Sequence, residues 1–374
     1  MPLRNVVCCL AAFAWLLLAA PVSNGQRSHA AVASNAHLAA LQREVRADLD
    51  FLASDELHGR ASATRDEHLA ALFAASQFEA LGLEPGGDNG TYLQKTALPD
   101  PLSERLQQYL AKFPNGPRKE TWNAVAILRG TSLANQTVLL TAHLDHLGIG
   151  PAVNGDDIYN GADDDASGTT AVLALAHMLA TGKRPRRTIV FALFGSEEIG
   201  GFGNHAFLTH PPVPLTSIVA NLEFEMIGRP DPAVPAGTLW LTGYDRSNLG
   251  PELARHGAHL VADPHPSQHF FRRSDNYALA LEGIIAQTVS SFGLHTDYHR
   301  PSDEISTIDF AHMAQAIESM AKPIRWLANT TWKPEWKPGR KPVRESTPRP
   351  SATPSPNPAR HQSHELPTSP GSPH

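Results

Sequence analysis

Arg187-Thr-Ile-Val-Phe-Ala-Leu-Phe194 opens directly into Gly195-Ser196-Glu197-Glu198-Ile199-Gly200-Gly201. From Ile189 to Phe194 every side chain is apolar, with no alternation. Such a run reads as a strand buried on both faces, the kind found in parallel sheets covered by helices. The segments around it fit the same pattern. Asn123–Leu128 and Thr137–Thr141 read as strands before it, and Ser217–Phe224, Thr238–Thr242 and Gly283–Val289 as strands after it. Helical stretches fall between them at Ala166–Thr181, Asn248–His256 and Asp309–Leu327. Alternating strands and helices imply an α/β fold with a mostly parallel sheet covered on both faces.

Residues 37–82 look helical. Leu38, Leu41, Val45, Leu49 and Leu52 recur at helical spacing, and a second run from Leu69 to Leu81 ends at Gly82, a C-cap residue. Pro85–Gly90 is a loop, and residues 99–120, rich in proline and charge, read as a surface excursion. At the N-terminus a basic start and the apolar run Val6–Ala20 fit a secretory signal peptide over 1–25, cleaved between Ala20 and Gln26. The run is short for a bilayer span, and no later stretch is long and apolar enough for one. An exported protein, periplasmic or extracellular, is expected. Residues 333–374, dominated by Pro, Ser, Thr, Lys and Arg, read as a disordered tail.

The 374 residues carry 37 acidic and 31 basic side chains, a net charge of −6, which gives no argument for nucleic acid as a partner. Both cysteines, Cys8 and Cys9, lie in the signal segment. Thiolate metal sites, cysteine nucleophiles and internal disulfides are therefore excluded from the mature chain. Any metal must be held by the 19 histidines and the carboxylates.

In open α/β sheets ligands gather beyond the C-terminal ends of the strands. Four polar clusters fall there, and a fifth on a late loop. Thr141-Ala-His143-Leu-Asp145-His146 offers a histidine ligand with a carboxylate two residues on that can orient it. Asn160-Gly161-Ala-Asp163-Asp164-Asp165-Ala-Ser167-Gly168 gathers three repelling carboxylates where a helix dipole or a cation can offset them, and one can bridge two metals. In Glu197-Glu198 one carboxylate can bind a metal while its neighbour takes a proton from water. Asn221-Leu-Glu223-Phe-Glu225 puts two carboxylates on one face of a strand. His295-Thr-Asp-Tyr-His299-Arg-Pro301 offers a loop-borne histidine. Each alone is equally readable as a polar strand exit, an N-cap, an acidic helix start, a solvated edge or a surface histidine. Together they form an oxygen and nitrogen set suited to zinc, able to hold two ions about 3.5–4 Å apart if one carboxylate is shared.

The five ordered motifs, with the lead-in Ala53-Ser-Asp-Glu-Leu-His-Gly59-Arg60, resemble metallopeptidase family 28, the co-catalytic zinc exopeptidases. That family includes secreted bacterial aminopeptidases, glutamate carboxypeptidase II and, more distantly, glutaminyl cyclases. The resemblance covers about residues 40–330 and implies a catalytic domain over 37–330, with a helical lead-in over 37–98. The implied fold is a three-layer αβα unit with a mostly parallel mixed central sheet, the phosphorylase/hydrolase-like zinc exopeptidase architecture.

By motif position, two zinc ions per chain are implied. His143 and Glu225 would serve the first, Glu198 and His299 the second, and Asp164 would bridge them, with a cis peptide to Asp165. Glu197 would be the general base and Asp145 would orient His143. Two departures stand out: Glu225 replaces a common aspartate, and Asn276 stands where a histidine is common, in a region that contacts substrate. The implied activity is removal of N-terminal residues from peptides with a free N-terminus, by metal-activated water with Glu197 as base. A one-zinc cyclising aminoacyltransferase and a non-catalytic binding protein on the same fold are the alternatives. Oligomeric state is not legible.

Overall fold

The computed structural model describes residues 24–344, with side chains from Asn35 onward. Eight helices occur among them: α1 (Asn24–Leu52), α2 (Arg65–Ala80), α3 (Glu104–Leu110), α4 (Gly168–Ala180), α5 (Phe202–Thr209), α6 (Leu249–Arg255), α7 (Asn276–Leu281) and α8 (Phe310–Asn329). The strands are β1 (Glu84–Pro85), β2 (Leu93–Ala97), β3 (Glu120–Leu128), β4 (Leu133–His143), β5 (Gly148–Val153), β6 (Asp156–Tyr159), β7 (Arg187–Phe194), β8 (Ile218–Phe224), β9 (Leu239–Leu241), β10 (Leu260–Ala262) and β11 (Ala286–Ser290).

Nine strands form one mixed sheet in the order β1-β3-β7-β4-β8-β11-β9-β10, with β2 also on β3, while β5 and β6 form a separate hairpin. The central run β7, β4, β8 and β11 is parallel throughout. β3 joins it antiparallel on one side and β9 on the other.

The period of two along each strand sorts its side chains into two cores. Ile189, Phe191 and Leu193 of β7 and Val138, Leu140 and Ala142 of β4 point into one core, with residues of α1, α2, α4, α6 and α8. Val190, Ala192 and Phe194 of β7 and Leu139 of β4 point into the other, with Phe207 of α5 and Leu279 and Ala280 of α7. The sheet is thus the middle of three layers. α8 shows why a helix seats here: Met313, Ala316, Ile317, Met320, Ile324 and Leu327 recur every three or four residues and are fully buried. Its start is fixed by Asp309, whose carboxylate accepts from the N–H groups of Ala311 and His312.

β2, β5, β6, β10, α5 and α7 fall where the sequence reading assigned no element, and three further segments differ from it. The helical stretch over 37–82 is broken at Ala53–Thr64, because Arg60 turns inward there. Its buried guanidinium donates to the carbonyls of Leu52 (2.5 Å), Asn160 (2.6 Å), Leu144 (2.9 Å) and Gly161 (3.0 Å). These four acceptors tie the end of α1 to the loops after β4 and β6. The excursion over 99–120 contains α3, whose Leu106, Tyr109 and Leu110 pack with Phe202 against Ala63, Leu98 and Ile199. Residues 333–344 lie along the domain: Trp336 pairs with Ser247 and its indole N–H donates to the Gly283 carbonyl at 3.1 Å. An apolar indole ring with one satisfied donor gives this stretch an anchor its composition does not suggest.

The signal-peptide run and the tail from residue 345 onward lie outside the described residues. Among the described residues no helix is long and apolar enough to cross a membrane.

Candidate metal centre

Three of the polar clusters, those after β4, β7 and β8, sit at one edge of the sheet because parallel strands deliver their C-terminal ends to the same side, while the Asp163–Asp165 cluster reaches it from the end of β6 in the separate hairpin. β4 ends at His143 beside Phe194 of β7, and Phe224 of β8 lies beside Val289 of β11. The Glu225 N–H continues that pairing by donating to the Val289 carbonyl at 3.1 Å.

The Asp163-Asp164-Asp165 triplet is resolved by its neighbours. Asp165 accepts from the N–H groups of Gly168 (2.9 Å), Met226 (3.1 Å) and His143 (3.2 Å). Asp163 accepts from Gly228 N–H at 2.7 Å and pairs with His295 at 3.0 Å. Asp303 accepts from the N–H groups of Asp163 and Asp164, both at 3.0 Å. With its flanks so held, Asp164 is left to face the other ligand candidates. The peptide bond joining it to Asp165 is cis.

The two oxygens of Asp164 look in different directions. Oδ1 lies 3.2 Å from His143 Nε2, and Oδ2 lies 3.1 Å from His299 Nε2. His299 Nε2 is also 3.2 Å from Glu198 Oε1. Two groups of ligand atoms result, each within 4.8 Å: His143, Asp164 and Glu225 in one, and His146, Asp164, Glu198 and His299 in the other. All five metal candidates from the sequence are brought together. His146, quoted in the first motif but given no role, joins them.

Around the ligands a second set fixes orientation. His143 Nδ1 lies 3.1 Å from the Asp145 carbonyl and 3.7 Å from its Oδ1. The Asp145 carboxylate accepts from Ser62 Oγ (2.5 Å), Glu197 N–H (3.0 Å) and Glu198 N–H (3.3 Å). It thereby holds the turn that carries both glutamates. Glu67 on α2 supports the same turn, accepting from Ser196 Oγ at 3.0 Å, Thr121 Oγ1 at 2.7 Å and Trp122 N–H at 3.1 Å. Glu223 is turned away from the centre, accepting from Asn276 N–H at 2.6 Å and Ser274 Oγ at 2.9 Å.

Burial of so many acids polarises their titration. Burial works to raise Glu198, but His299 and His146 override it and hold the carboxyl at about 2. Burial lowers the charge tolerance of His299, yet Glu198 and Asp164 raise it to about 10. His143 is likewise held well above its usual value by Asp145 and Asp164 against burial. Glu197 goes the other way: burial pushes it well above the carboxylate range, His143 opposes, and Asp275, Glu198 and Glu225 add to the rise. A cavity of about 1100 Å³ opens over the cluster, lined among others by Glu197, Glu225, Tyr109, Trp240, Phe270 and Tyr298.

The donor set suits a divalent metal. Ligands bonded at about 2.0–2.1 Å around a tetrahedral ion stand roughly 3.3 Å apart, and the Asp164, His143, His299 and Glu198 contacts of 3.1–3.2 Å match that. Both ring nitrogens of His146 and Oε1 of Glu198 are buried without a hydrogen-bond partner. Orphaned atoms of this kind call for an explanation, and an ion is one.

The sequence profile of peptidase family M28 matches residues 123–323, more than half of the chain. The chain belongs to peptidase family M28. An aminopeptidase of Pseudomonas aeruginosa is 34% identical over 145 residues, covering 38% of this chain and 24% of the relative. A vacuolar membrane protease of Candida tropicalis is 29% identical over 142 residues, covering 33% of this chain and 15% of the relative. The chain thus spans a quarter or less of the length of these curated relatives. Among solved structures, the zinc aminopeptidase BSAP of Bacillus subtilis shares the fold at 16% identity, with a TM-score of 0.58 over 77% of this chain and 95% of that one.

The M28 profile begins at Asn123, so Arg60, Ser62 and Glu67 lie outside it although they hold the centre from behind. Asp303 lies within it. None of these was assigned from the sequence. Arg60 stands inside the quoted lead-in and Asp303 two residues past the quoted histidine loop, but three of the four Arg60 acceptors and the N–H groups from which Asp303 accepts lie more than 80 residues away. His146 carried a usable signal, a second histidine three positions after His143.

Proposed function

We propose that this M28 member is a two-zinc exopeptidase that removes N-terminal residues from peptides, acting as an exported protein in the periplasm or outside the cell. The observation that carries the reading is Asp164, whose two oxygens face two separate sets of ligand atoms below one cavity. Residues 37–330 are assigned as the catalytic unit. His143, Asp164 and Glu225 would hold one zinc, and Asp164, Glu198 and His299 the other.

Zinc bound there supplies Lewis acidity, making water a better acid and a carbonyl a better electrophile. Glu197 is the base. A carboxyl raised by burial holds a proton more firmly than an exposed one, so it can accept one from the attacking water and return it to the leaving amine. Asp145, through the two N–H groups of Glu197 and Glu198, keeps that base in register with the ligands. A free α-amine can also be a ligand of a metal held by these residues, beside the cavity that Glu197 and Glu225 line. This supports attack at chain ends rather than within chains.

The test pairs metal analysis with aminoacyl-arylamides and N-terminally blocked peptides. Two zinc ions per chain and hydrolysis of the unblocked substrates are expected. Cleavage of blocked peptides alone overturns the aminopeptidase reading, and one zinc with cyclisation of N-terminal glutamine points to the transferase. Glu197→Gln should keep both metals and lose about 10²–10⁴-fold in kcat. A variant with unchanged kcat removes Glu197 from the base role.

A further inference from the structure

His146 has no part in the five-ligand scheme, yet its surroundings are those of a ligand. It is fully buried, and neither ring nitrogen has a hydrogen-bond partner. Its Nδ1 lies 2.9 Å from Glu198 Oε1 and 3.9 Å from Asp164 Oδ2. Glu198 Oε1 is itself unpartnered, although His146 Nδ1 and His299 Nε2 approach it to 2.9 and 3.2 Å. Atoms this close that are not aligned donor to acceptor are aimed at a common centre rather than at one another. The four separations of 2.9, 3.1, 3.2 and 3.9 Å bracket the ligand spacing of a tetrahedral zinc, roughly 3.3 Å.

The backbone makes room for this ring. Gly161 has a positive φ of 58°, and a Cβ there would come within 2.5 Å of His146 Cγ. The same Cβ would come still closer, within 2.1 Å, to the Asp164 carbonyl oxygen, so the backbone and the imidazole are packed together here with no space for a side chain.

We propose that His146 is a fourth side-chain ligand at the site of Asp164, Glu198 and His299, so that the two metal sites are unequal. This rests on the two-metal reading above. Four protein ligands close a tetrahedral ion, as in structural sites, whereas three leave a position open, as in catalytic ones. The site of His146, Asp164, Glu198 and His299 is then the closed, tight anchor. The site of His143, Asp164 and Glu225 is the open one that meets substrate beside Glu197. Metal loads in order, anchor first.

The experiment is a titration of chelator-dialysed full chain with Co(II), followed by visible absorption, and with Zn(II) against a competing chelator. In the wild type the first equivalent should bind at least tenfold more tightly than the second and give the intense visible band of four-coordinate Co(II). His146→Ala and His146→Gln should weaken binding at the anchor by about 100-fold, so that the tight first equivalent and its intense band are lost while metal still binds at the site of His143, Asp164 and Glu225. Variants that titrate like the wild type, or a wild type whose two equivalents bind alike, overturn the assignment. The wild-type titration needs no variant to fold. If the wild type takes up fewer than two ions, the two-metal reading falls with it. If it takes up two and cleaves peptides while the His146 variants behave like wild type, only this inference falls.

Discussion

Arg60 and Asp145 illustrate how single buried charges organise the centre without touching it from the front. Burial lowers Arg60 to about 10, against the pull of Asp145, Asp165, Asp303 and Asp164, so the side chain stays charged at neutral pH. Its guanidinium answers four carbonyls from three segments, a task a planar fork of five donors can perform and an ammonium cannot. Arg60→Met would leave those carbonyls buried and unanswered. Thermal unfolding followed by circular dichroism should show a loss of about 3 kcal/mol or more, seen as a fall in Tm of about 10 °C. Arg60→Lys should recover less than half of that loss. If Arg60→Met unfolds at the wild-type temperature, the clamp contributes nothing. None of this was readable from the lead-in motif alone: the sequence offers an arginine after a glycine, and only the folded chain brings its acceptors from positions 144, 160 and 161.

At the scale of elements the strands were the most legible part. A run such as Ile189–Phe194 carries its burial in its own composition, and the observed strand has the bounds its apolar pattern predicts. The ligand-bearing turns after β4, β7 and β8 followed from the strands, because parallel strands deliver their ends to one edge. The break between α1 and α2 carried a local signal, with Gly59 in a left-handed conformation and Thr64 as the N-cap of α2, but the path of the turn is set by tertiary contacts of Arg60. His146 carried a signal too, a second histidine in an evident motif, but only the approach of Glu198 and Asp164 distinguishes it from a packed histidine. One helix contact has a measurable titration. Asp48 on α1 is raised to about 7 by burial, with Glu44 adding to the rise and His177 of α4 opposing it. The unfolded carboxyl ionises near 3.8, so between about pH 4 and 7 the unfolded chain holds fewer protons than the folded one. Stability from this group is therefore complete below that window and declines as pH rises through it. Asp48→Asn should flatten the slope and raise Tm by about 2–4 °C at pH 8, measured across pH 5–8. A parallel pair of profiles would refute the role.

At the scale of the whole molecule, the centre joins elements distant in sequence, so an ion bound there acts on the entire fold. Without metal, the buried carboxylates of Asp164 and Glu198 are balanced by protonated histidines: His299 is raised to about 10, and His143 lies well above its usual value. In the metal-free chain this imidazolium contribution is fully present below about pH 6.5 and fades as pH climbs through about 10. A metal accepts only the neutral ring, so zinc must displace these protons. Binding at pH 7 should release about two protons per chain, one each from His143 and His299. Calorimetric titration in buffers of different ionisation enthalpy counts them directly. Apparent affinity should then rise with pH between about 6 and 9, and the Tm gap between zinc-loaded and metal-free protein should widen over the same range, since ligand stabilisation grows as RT ln(1 + [L]/Kd). Zinc uptake with no proton release would mean that the metal-free histidines are neutral, and that the charge of the buried acids is balanced by something other than the rings that face them.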